Sequence, residues 1–371
     1  MTPRDARYPF FASARKAVAD SGVSLAALVE RADPAVERAR ERVERALVEG
    51  SVAPEEPGEW TAREELLSYP VARILVSLLS EPAAVRKYAA AEAATAAERL
   101  REDDERDADL RSTPDSAVSL TAALREFDLS GTVREAEEPA RPAAAPPRYW
   151  VGVDRYLALS DPEWGTSWRL ATRELADGEV RVERAELFDL LEEAIRRRVV
   201  DGLPFEGVDD ELAAALEDEL AAVRALLADG SDVPSVDRFV PELLPSCVRR
   251  LRAKADEEEL SPPEAFALLS VLAAVGLDVA DVVGYLADST LSVDRIHYQY
   301  ARVADGDRGQ AQYPPPTCET LAEYGVCENA DGHRDDHPSP LGAYAARLAE
   351  GGESYTDWRD RSAEERAGSE A

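Results

Sequence analysis

Three cysteines, Cys247, Cys318 and Cys327, are the residues of this sequence that most resemble metal ligands. Cys318 and Cys327 are nine residues apart, after the prolines at 314–316, and Gly325 stands just before the second thiol. Cys247 follows Leu-Pro-Ser at the expected start of a helix, where the helix dipole favours a thiolate. Three cysteines are too few for a disulfide scaffold, so they are predicted to be either ligands of a soft metal or cluster, or small apolar core residues.

Three histidines, His297, His333 and His337, fall in the same last third of the chain. A single histidine is more often a structural residue than a ligand. His333 and His337 are the better candidates because they lie a few residues beyond Cys327 in a polar segment. An imidazole there could complete a site that the thiols begin.

Basic and aromatic residues surround the thiols. Arginine binds phosphates bidentately and tyrosine offers a ring on which an unpaired base can stack, so the cluster is interpreted as a site for single-stranded template or primer. The alternative is that each of these cations pairs with one of the abundant carboxylates. The predicted nucleic-acid or nucleotide-binding residues are Arg249, Arg250, Lys254, Arg295, His297, Tyr298, Arg302 and Arg308.

Signatures of catalysis are missing from the sequence. It has no glycine-rich phosphate loop, no Gly-Lys-Ser/Thr, and no local Ser/His or Cys/His arrangement. The spacing Asp107-Ala108-Asp109 is best explained by chance, since the chain has 75 acidic residues. No catalytic residue is predicted.

The net charge of −32 is extreme, and the only lysines are Lys16, Lys87 and Lys254. In molar salt the Debye length is about 3 Å, so dense like charge no longer destabilises a fold. We therefore expect a salt-adapted, halophilic cytoplasm, where acidity does not exclude nucleic acid as a ligand. No run reaches the roughly 18 apolar residues that a membrane helix needs, and the polar start does not resemble a signal peptide, so no membrane association is expected.

The elements that must position these residues are mostly helical. Residues 1–232 are predicted to form a helical N-terminal domain, with helices from 8 to about 97 and again over 184–198 and 209–228. Proline, glutamate and alanine at about 130–147 indicate a flexible loop. The aromatic and β-branched content of 149–153, 156–159 and 180–182 predicts strands, which makes about 149–200 a small α/β insert.

Residues 233–350 are predicted to form an all-α C-terminal domain that holds the thiols. Its helices are expected at 246–258, 262–275, 278–287 and 293–303, with Gly276 ending one helix and Asp278 capping the next. The charged residues 351–371 are predicted to be a disordered tail.

The ordered motifs of this sequence resemble the primase large subunit family of archaea and eukaryotes, in its haloarchaeal branch. The resemblance covers most of the chain, and it is the order of the motifs that is specific. They are Leu-Pro-Ser-Cys247, 295–300 with 306–309, the Tyr-Pro-Pro-Pro-Thr segment ending at Cys318, Tyr-Gly-Val-Cys327, 340–344, and upstream 7–10, 67–73 and 149–153.

The resemblance implies a [4Fe–4S] cluster on four cysteines in the C-terminal domain, which would then be an iron–sulfur domain. Cys247, Cys318 and Cys327 match the first three ligands. The family's last cysteine falls near Arg334, where this chain has none, and the adjacent His333 is the expected substitute because imidazole replaces thiolate in some clusters. The site is therefore expected to hold a cluster with three cysteines and a histidine, a three-cysteine cluster with an open iron, a zinc ion, or no metal.

The resemblance also implies a regulatory, non-catalytic subunit of a DNA-directed RNA polymerase, the primase. It would form a heterodimer with the catalytic small subunit, which makes RNA primers on single-stranded DNA for replication. The N-terminal domain is expected to dock the small subunit through apolar surface of the insert. The aromatic residues expected to form this surface are Trp150, Tyr156, Trp164 and Trp168. The alternative is that these aromatic residues belong to the core.

Two alternatives stay open. One is a non-enzymatic interaction protein of the replication apparatus with a degenerate or zinc-binding cysteine site. The other is a self-sufficient nucleotidyltransferase, which the missing carboxylate arrangement disfavours.

Overall fold

A computed structural model describes the chain except for a set of short segments, and it divides the chain into two compact units. The N-terminal unit is Met1–Asp161 with Leu170–Ala228, and the C-terminal unit is Pro162–Arg169 with Asp229–Ala371. The residues outside the description are 57, 109–115, 138–146, 206, 231–235, 237, 306–309, 312–314, 324, 328–331, 334–336, 338, 352–353, 363–365 and 367–371.

The N-terminal unit is mostly helical, as predicted. Helix α4 packs against α5 and α6, and α6 packs against α9, so four long helices form its framework. The helices are α1 (Pro3–Arg7), α2 (Ala12–Asp20), α3 (Leu25–Glu30), α4 (Pro34–Val48), α5 (Ala62–Leu78), α6 (Pro82–Ala108), α7 (Leu120–Glu126), α8 (Val153–Leu159), α9 (Arg184–Val200), α10 (Asp210–Ala215) and α11 (Glu217–Gly230). The predicted helix over 209–228 is thus two helices that meet at Leu216.

A buried ion cluster lies between α4, α5 and α6. Arg42 donates to both carboxylate oxygens of Glu92, at 2.6 and 3.0 Å, and to Glu65 at 3.2 Å. Arg38 donates to Glu65 at 2.8 Å and to the Val52 carbonyl at 2.6 Å. Arg38, Arg42 and Glu92 are almost fully buried. The ion pairs and hydrogen bonds between these partners therefore compensate for the hydration that each charge loses on folding.

A four-stranded antiparallel sheet forms the predicted insert. Its strands are β1 (Val133–Glu135), β2 (Arg148–Gly152), β3 (Leu175–Ala176) and β4 (Glu179–Glu183), in the order β1-β2-β4-β3. Tyr149, Val151, Val180 and Val182 are buried, and α9 contacts β2 and β4. The alternation of buried and exposed residues leaves the other face of the sheet open.

Two predictions for this region are wrong. Residues 156–159 belong to helix α8, because Gly152 ends β2 and Tyr156 and Leu159 bury one helical face. Strand β1 lies inside the predicted loop 130–147, since Val133, Arg134 and Glu135 pair with β2. The proline-rich part of that loop, 138–146, is outside the described residues, as is the predicted domain boundary after residue 232.

The C-terminal unit is built around α13, which packs against α12, α15 and α17. The alanine, leucine and valine side chains of α13 fill the centre of a single apolar core. The helices are α12 (Ser246–Glu257), α13 (Pro262–Ala274), α14 (Val279–Tyr285), α15 (Val293–Val303), α16 (Cys318–Glu323) and α17 (Pro340–Gly351). Asp278 caps α14 by accepting from Asp281 N–H at 2.8 Å, and Gly276 has φ +80°, both as predicted.

The prediction that this unit is all-α is wrong in detail. Strands β5 (Ala304–Asp305) and β6 (Gln310–Ala311) form a short antiparallel pair after α15. Two residues per strand give too little alternation for a sequence pattern to reveal them.

The predicted disordered tail is also wrong for the described residues around Trp358. A short 3₁₀ helix, Trp358–Asp360, places the Trp358 ring in the core beside Phe239 and Tyr285, with 2% of the residue exposed. Its backbone N–H donates to the Phe239 carbonyl at 2.8 Å, and Arg361 forms a bidentate ion pair with Glu242. The free energy gained by burying this large ring offsets the entropic cost of ordering the charged segment.

Candidate metal centre and nucleic-acid interface

The three cysteines all lie in the C-terminal unit, on two helix starts and one turn. Cys247 is in the first turn of α12 and Cys318 is the first residue of α16. Cys327 follows α16 after a turn in which Gly325 has φ +69°, and the N–H groups of Val326 and Cys327 both donate to the Leu321 carbonyl, at 2.8 and 2.9 Å. Glycine allows this left-handed turn, which reverses the chain after the helix.

The structure brings Cys318 and His333 together. The Cys318 Sγ atom is 3.4 Å from His333 Nε2, and both residues are buried, with 1% and 7% exposed. A second contact joins the Cys318 thiol to the His337 carbonyl at 3.8 Å. Two of the predicted donors are therefore neighbours although fifteen residues separate them in the chain.

The separation of these two donors limits what they can bind. Zinc–sulfur and zinc–nitrogen bonds of about 2.3 and 2.0–2.1 Å in a tetrahedral site place the donors roughly 3.5 Å apart. The observed 3.4 Å therefore fits one shared metal ion, or a thiol–imidazole hydrogen bond. Ligands of a cubane cluster bind different irons and lie farther apart, so His333 as placed does not reach a separate corner of a cluster that Cys318 binds.

The other two cysteines are not gathered at this pair. Cys247 is 3% exposed within the apolar core, and Cys327 packs against that core. Across the part of the chain that the structure describes, no three Cys, His, Asp or Glu side chains are close enough together to hold a metal ion. Arg334, near which the resemblance places the family's last cysteine, is outside that part. A complete cluster thus stays a prediction, and the separation of Cys318 and His333 fits a single shared ion.

The predicted basic residues on α12 differ in their contacts. Arg249 and Arg250 are exposed, and Arg250 donates to the Gly325 carbonyl at 3.2 Å, next to the turn that carries Cys327. Lys254 pairs with Glu264 at 2.7 Å, a hydrogen bond that raises the pKa of Lys254. Arg249 has no partner among the described residues, which leaves its guanidinium available for phosphate.

On α15 the structure corrects the prediction for Tyr298, whose ring is not available for stacking on a base. Tyr298 is 5% exposed, the Trp164 ring meets it edge-on at 5.0 Å, and the Arg295 guanidinium is 5.5 Å from its centre. Arg295 and His297 are partly exposed. The Arg302 side chain and all of Arg308 lie outside the description.

Helix α15 is anchored by Tyr300, which the sequence did not single out. Its hydroxyl donates to the Leu277 carbonyl at 2.5 Å. Burial, with the charges of Asp278 and Asp281 adding to it, raises the pKa of Tyr300 to about 12. The phenol therefore stays protonated and keeps this hydrogen bond at neutral pH.

The aromatic residues expected to form a docking surface divide between the two units. Tyr156 is fully buried in the N-terminal unit. Trp164 and Trp168 belong to the C-terminal unit, where their rings meet at 5.0 Å and Trp168 is buried. Tyr156 and Trp168 are thus core residues, as the alternative interpretation held. Trp150 is partly exposed on the sheet of the N-terminal unit, so of these aromatic residues it is the candidate for a docking surface of that unit.

Trp150 lies at the centre of the open face of the sheet. It pairs across the strands with Arg134 and Arg181, whose guanidiniums are 5.6 and 6.0 Å from its ring. Arg134 is also bound to Glu179, and Arg181 to Glu174. An aromatic ring with a rim of ion pairs has the composition of a protein-binding hot spot.

No helix in the described parts of the chain has both the length and the apolar character needed to cross a membrane.

Comparison with known proteins identifies the family. The family model of the eukaryotic and archaeal DNA primase large subunit N-terminal domain matches residues 6–207. The DNA primase large subunit of Halobacterium salinarum is 41% identical over 365 residues, 97% of this chain and 98% of the relative. The Haloarcula marismortui protein of the same name is 38% identical over 99% of both chains, and that of Methanosarcina acetivorans is 29% identical over 92% and 88%. The chain therefore belongs to the eukaryotic and archaeal DNA primase large subunit family.

Proposed function

We propose that the chain is the regulatory, non-catalytic subunit of a primase, and that it binds and modulates the catalytic small subunit during RNA primer synthesis. The observation that carries the proposal is the likeness to DNA primase large subunits over 97–99% of this chain. The sequence motifs agree, since they include no polymerase carboxylate or phosphate-loop pattern.

The N-terminal unit is the proposed docking unit for the small subunit. Its support is that the matched N-terminal domain, residues 6–207, includes the sheet whose open face carries Trp150. The Trp150 ring is already held between two guanidiniums, so its burial against a partner needs little further ordering of side chains. We therefore assign Trp150 to the contact with the small subunit.

The C-terminal unit is the proposed site of the metal centre and of contact with template and primer. Cys247, Cys318 and Cys327 would hold a [4Fe–4S] cluster, which when bound would tie α12, α16 and the turn after α16 together through iron–sulfur bonds. His333 would become its fourth ligand only by moving away from Cys318 Sγ, which lies 3.4 Å from its Nε2. The exposed guanidinium of Arg249, on the helix that begins at Cys247, would bind a phosphate of the nucleic acid.

A second candidate for the metal centre is a zinc ion in an accessory protein of the replication apparatus. The 3.4 Å separation of Cys318 and His333 favours it, because two donors at that distance share one ion. Metal and sulfide analysis of anaerobically purified protein separates the two. Iron with sulfide and absorbance near 400 nm supports the cluster, and zinc without sulfide supports the second candidate.

Co-purification tests the proposed function. The full-length chain is mixed with the catalytic small subunit in molar KCl and passed through a size-exclusion column. We expect a one-to-one complex, and a Trp150→Ala variant that elutes with less small subunit bound. Separate elution of the two wild-type proteins would contradict the proposed function.

A further inference from the structure

A recess in the N-terminal unit has no role in the functions described so far. It encloses about 260 Å³ between α2, α5, the end of α9 and the segment that follows α9. Its apolar lining includes Phe10, Val18, Tyr69, Pro70 and Phe205. A volume of this size accepts one large apolar side chain rather than a folded element.

The apolar lining reaches the surface at Phe205, which is 39% exposed. The Phe205 N–H donates to Ser77 Oγ at 2.9 Å, and the Arg73 guanidinium stacks on its ring at 5.2 Å. The ring is therefore held in place at the mouth of the recess although much of it faces water. The ring therefore continues the apolar lining of the recess to the surface, where a bound side chain would contact both.

Three arginines line the recess, but two of them have their donors committed. Arg73 donates to the carbonyls of Val199 and Asp201, at 2.7 and 2.8 Å, and Arg198 donates to Glu126 at 3.2 Å. The exposed Arg15 side chain forms no ion pair or hydrogen bond with any residue that the structure describes. The chain has 75 acidic and 43 basic residues. An arginine that pairs with none of the described carboxylates is therefore available to bind a carboxylate of another molecule.

The charge pattern indicates which ligand fits. A phosphodiester chain needs several available cations, and the recess offers one, with the exposed carboxylate of Asp201 beside it. One free guanidinium next to an apolar recess matches instead a peptide in which an apolar side chain is followed or preceded by a carboxylate.

We propose that this recess docks a segment of the catalytic small subunit, with an apolar side chain between Phe10, Val18 and Phe205 and a neighbouring carboxylate on Arg15. The lining residues, from Pro9 to Phe205, all lie within the 6–207 stretch that matches the large-subunit N-terminal domain. The proposal rests on the proposed function, because it names a second contact for the same partner, separate from Trp150.

The test is the affinity of the full-length chain for the small subunit, measured by calorimetry in 1 M KCl. Arg15→Glu and Phe205→Ala are each expected to raise Kd about tenfold, which corresponds to the loss of one good interface contact. Arg31→Glu, which reverses an exposed arginine of the same unit outside the recess, should leave Kd unchanged. Circular dichroism of each variant checks that the helical content is retained.

A photo-crosslinking residue placed at Val18 gives a readout that does not depend on affinity. We expect it to crosslink to a small-subunit peptide with an apolar residue next to an acidic one. If the wild-type complex forms but Arg15→Glu and Phe205→Ala bind as tightly as wild type and position 18 gives no crosslink, the recess proposal is wrong and the proposed function stands. If the wild-type complex does not form, the proposed function fails first.

Discussion

The Sγ atom of Cys318 lies 3.4 Å from Nε2 of His333, in a buried part of the C-terminal unit. Both side chains are donors that soft metals prefer. The pair is the part of the predicted metal centre whose donors lie side by side in the structure. Whatever ion or cluster the site binds is expected to depend on these two side chains.

Removal of either donor tests this expectation. Cys318→Ser should lose the bound metal completely, and His333→Ala should lose part of it or make it labile to oxygen, because a site with fewer donors gains less binding energy. His297→Ala, a change to a histidine of α15, is the control and should retain all the metal. Metal and sulfide are quantified after anaerobic purification. Full metal content in both variants would show that the pair is not a ligand set.

Arg334→Cys supplies the fourth cysteine that the resemblance to the family implies near this position. We expect it to increase iron retention and to slow the loss of iron in air, because a fourth thiolate can occupy the remaining corner of a cluster. The measurement is the decay of absorbance near 400 nm. If the site binds zinc instead, the substitution leaves iron content unchanged, and the metal analysis then shows zinc in both proteins.

The aromatic contacts of Trp358 predict that the C-terminal segment stabilises the C-terminal unit. Trp358→Ala removes a ring packed against Phe239 and Tyr285 and is expected to lower the free energy of unfolding by about 3–5 kcal/mol. Tyr355→Ala, at a side chain that is 38% exposed, should change it by less than about 0.5 kcal/mol. Denaturant unfolding in molar KCl measures both. Equal effects of the two changes would mean that the segment does not complete the core.

Most of the helices could be predicted because their signals are local. Helix α15 begins and ends where it was predicted, with Ser292 as its cap, and Asp278 caps α14 as expected. The contacts of Trp358 and Trp164 could not be predicted, because their ring partners are distant in the sequence and a single tryptophan has no periodicity. The resemblance predicts that Cys318 and His333 serve one metal site, but their direct contact at 3.4 Å is seen only in the structure.

The strand predicted at Tyr156 and Leu159 is wrong because residue composition alone favours a strand there. Their residue types favour strands, but the chain there buries positions three apart on one side of α8, and tertiary packing overrides propensity. Strand β1 shows the opposite case. Its sequence, Val133 to Glu135, is too short to give a signal, and pairing with β2 specifies it.

The buried ion cluster predicts a pH-dependent stability. Burial opposes ionisation of Glu65, but the charges and hydrogen bonds of Arg42 and Arg38 outweigh it and lower the pKa of Glu65. A glutamate with a lowered pKa stabilises the fold at pH values above the ordinary glutamate pKa. This stabilisation is lost as the pH falls through the lowered pKa.

Glu65→Gln should therefore reduce the free energy of unfolding by about 3 kcal/mol at pH 7, since it leaves two buried guanidiniums short of a partner. The difference from wild type should shrink as the pH falls below the ordinary glutamate value. Glu37→Gln, at an exposed position on α4, is the control. A pH-independent difference for Glu65→Gln would exclude ionisation of this residue as the cause.

The exposed guanidinium of Arg249 predicts a contact with nucleic acid. Arg249→Glu should weaken binding of a single-stranded oligonucleotide and reduce the slope of log affinity against log salt by about 0.7, the value for one phosphate contact on a single strand. Tyr298→Phe should bind as wild type, because its buried ring keeps its packing. Fluorescence anisotropy over a range of KCl concentrations gives both quantities. An unchanged slope for Arg249→Glu would contradict a phosphate contact at this residue.

Primer synthesis tests the central claim most directly. The synthesis of RNA primers on a single-stranded DNA template is measured in molar KCl with the chain alone, with the catalytic small subunit alone, and with both. The proposed function predicts no product from the chain alone, and more initiation by the two together than by the small subunit alone. Primers made by the chain alone, or small-subunit synthesis that the chain does not change, would contradict it.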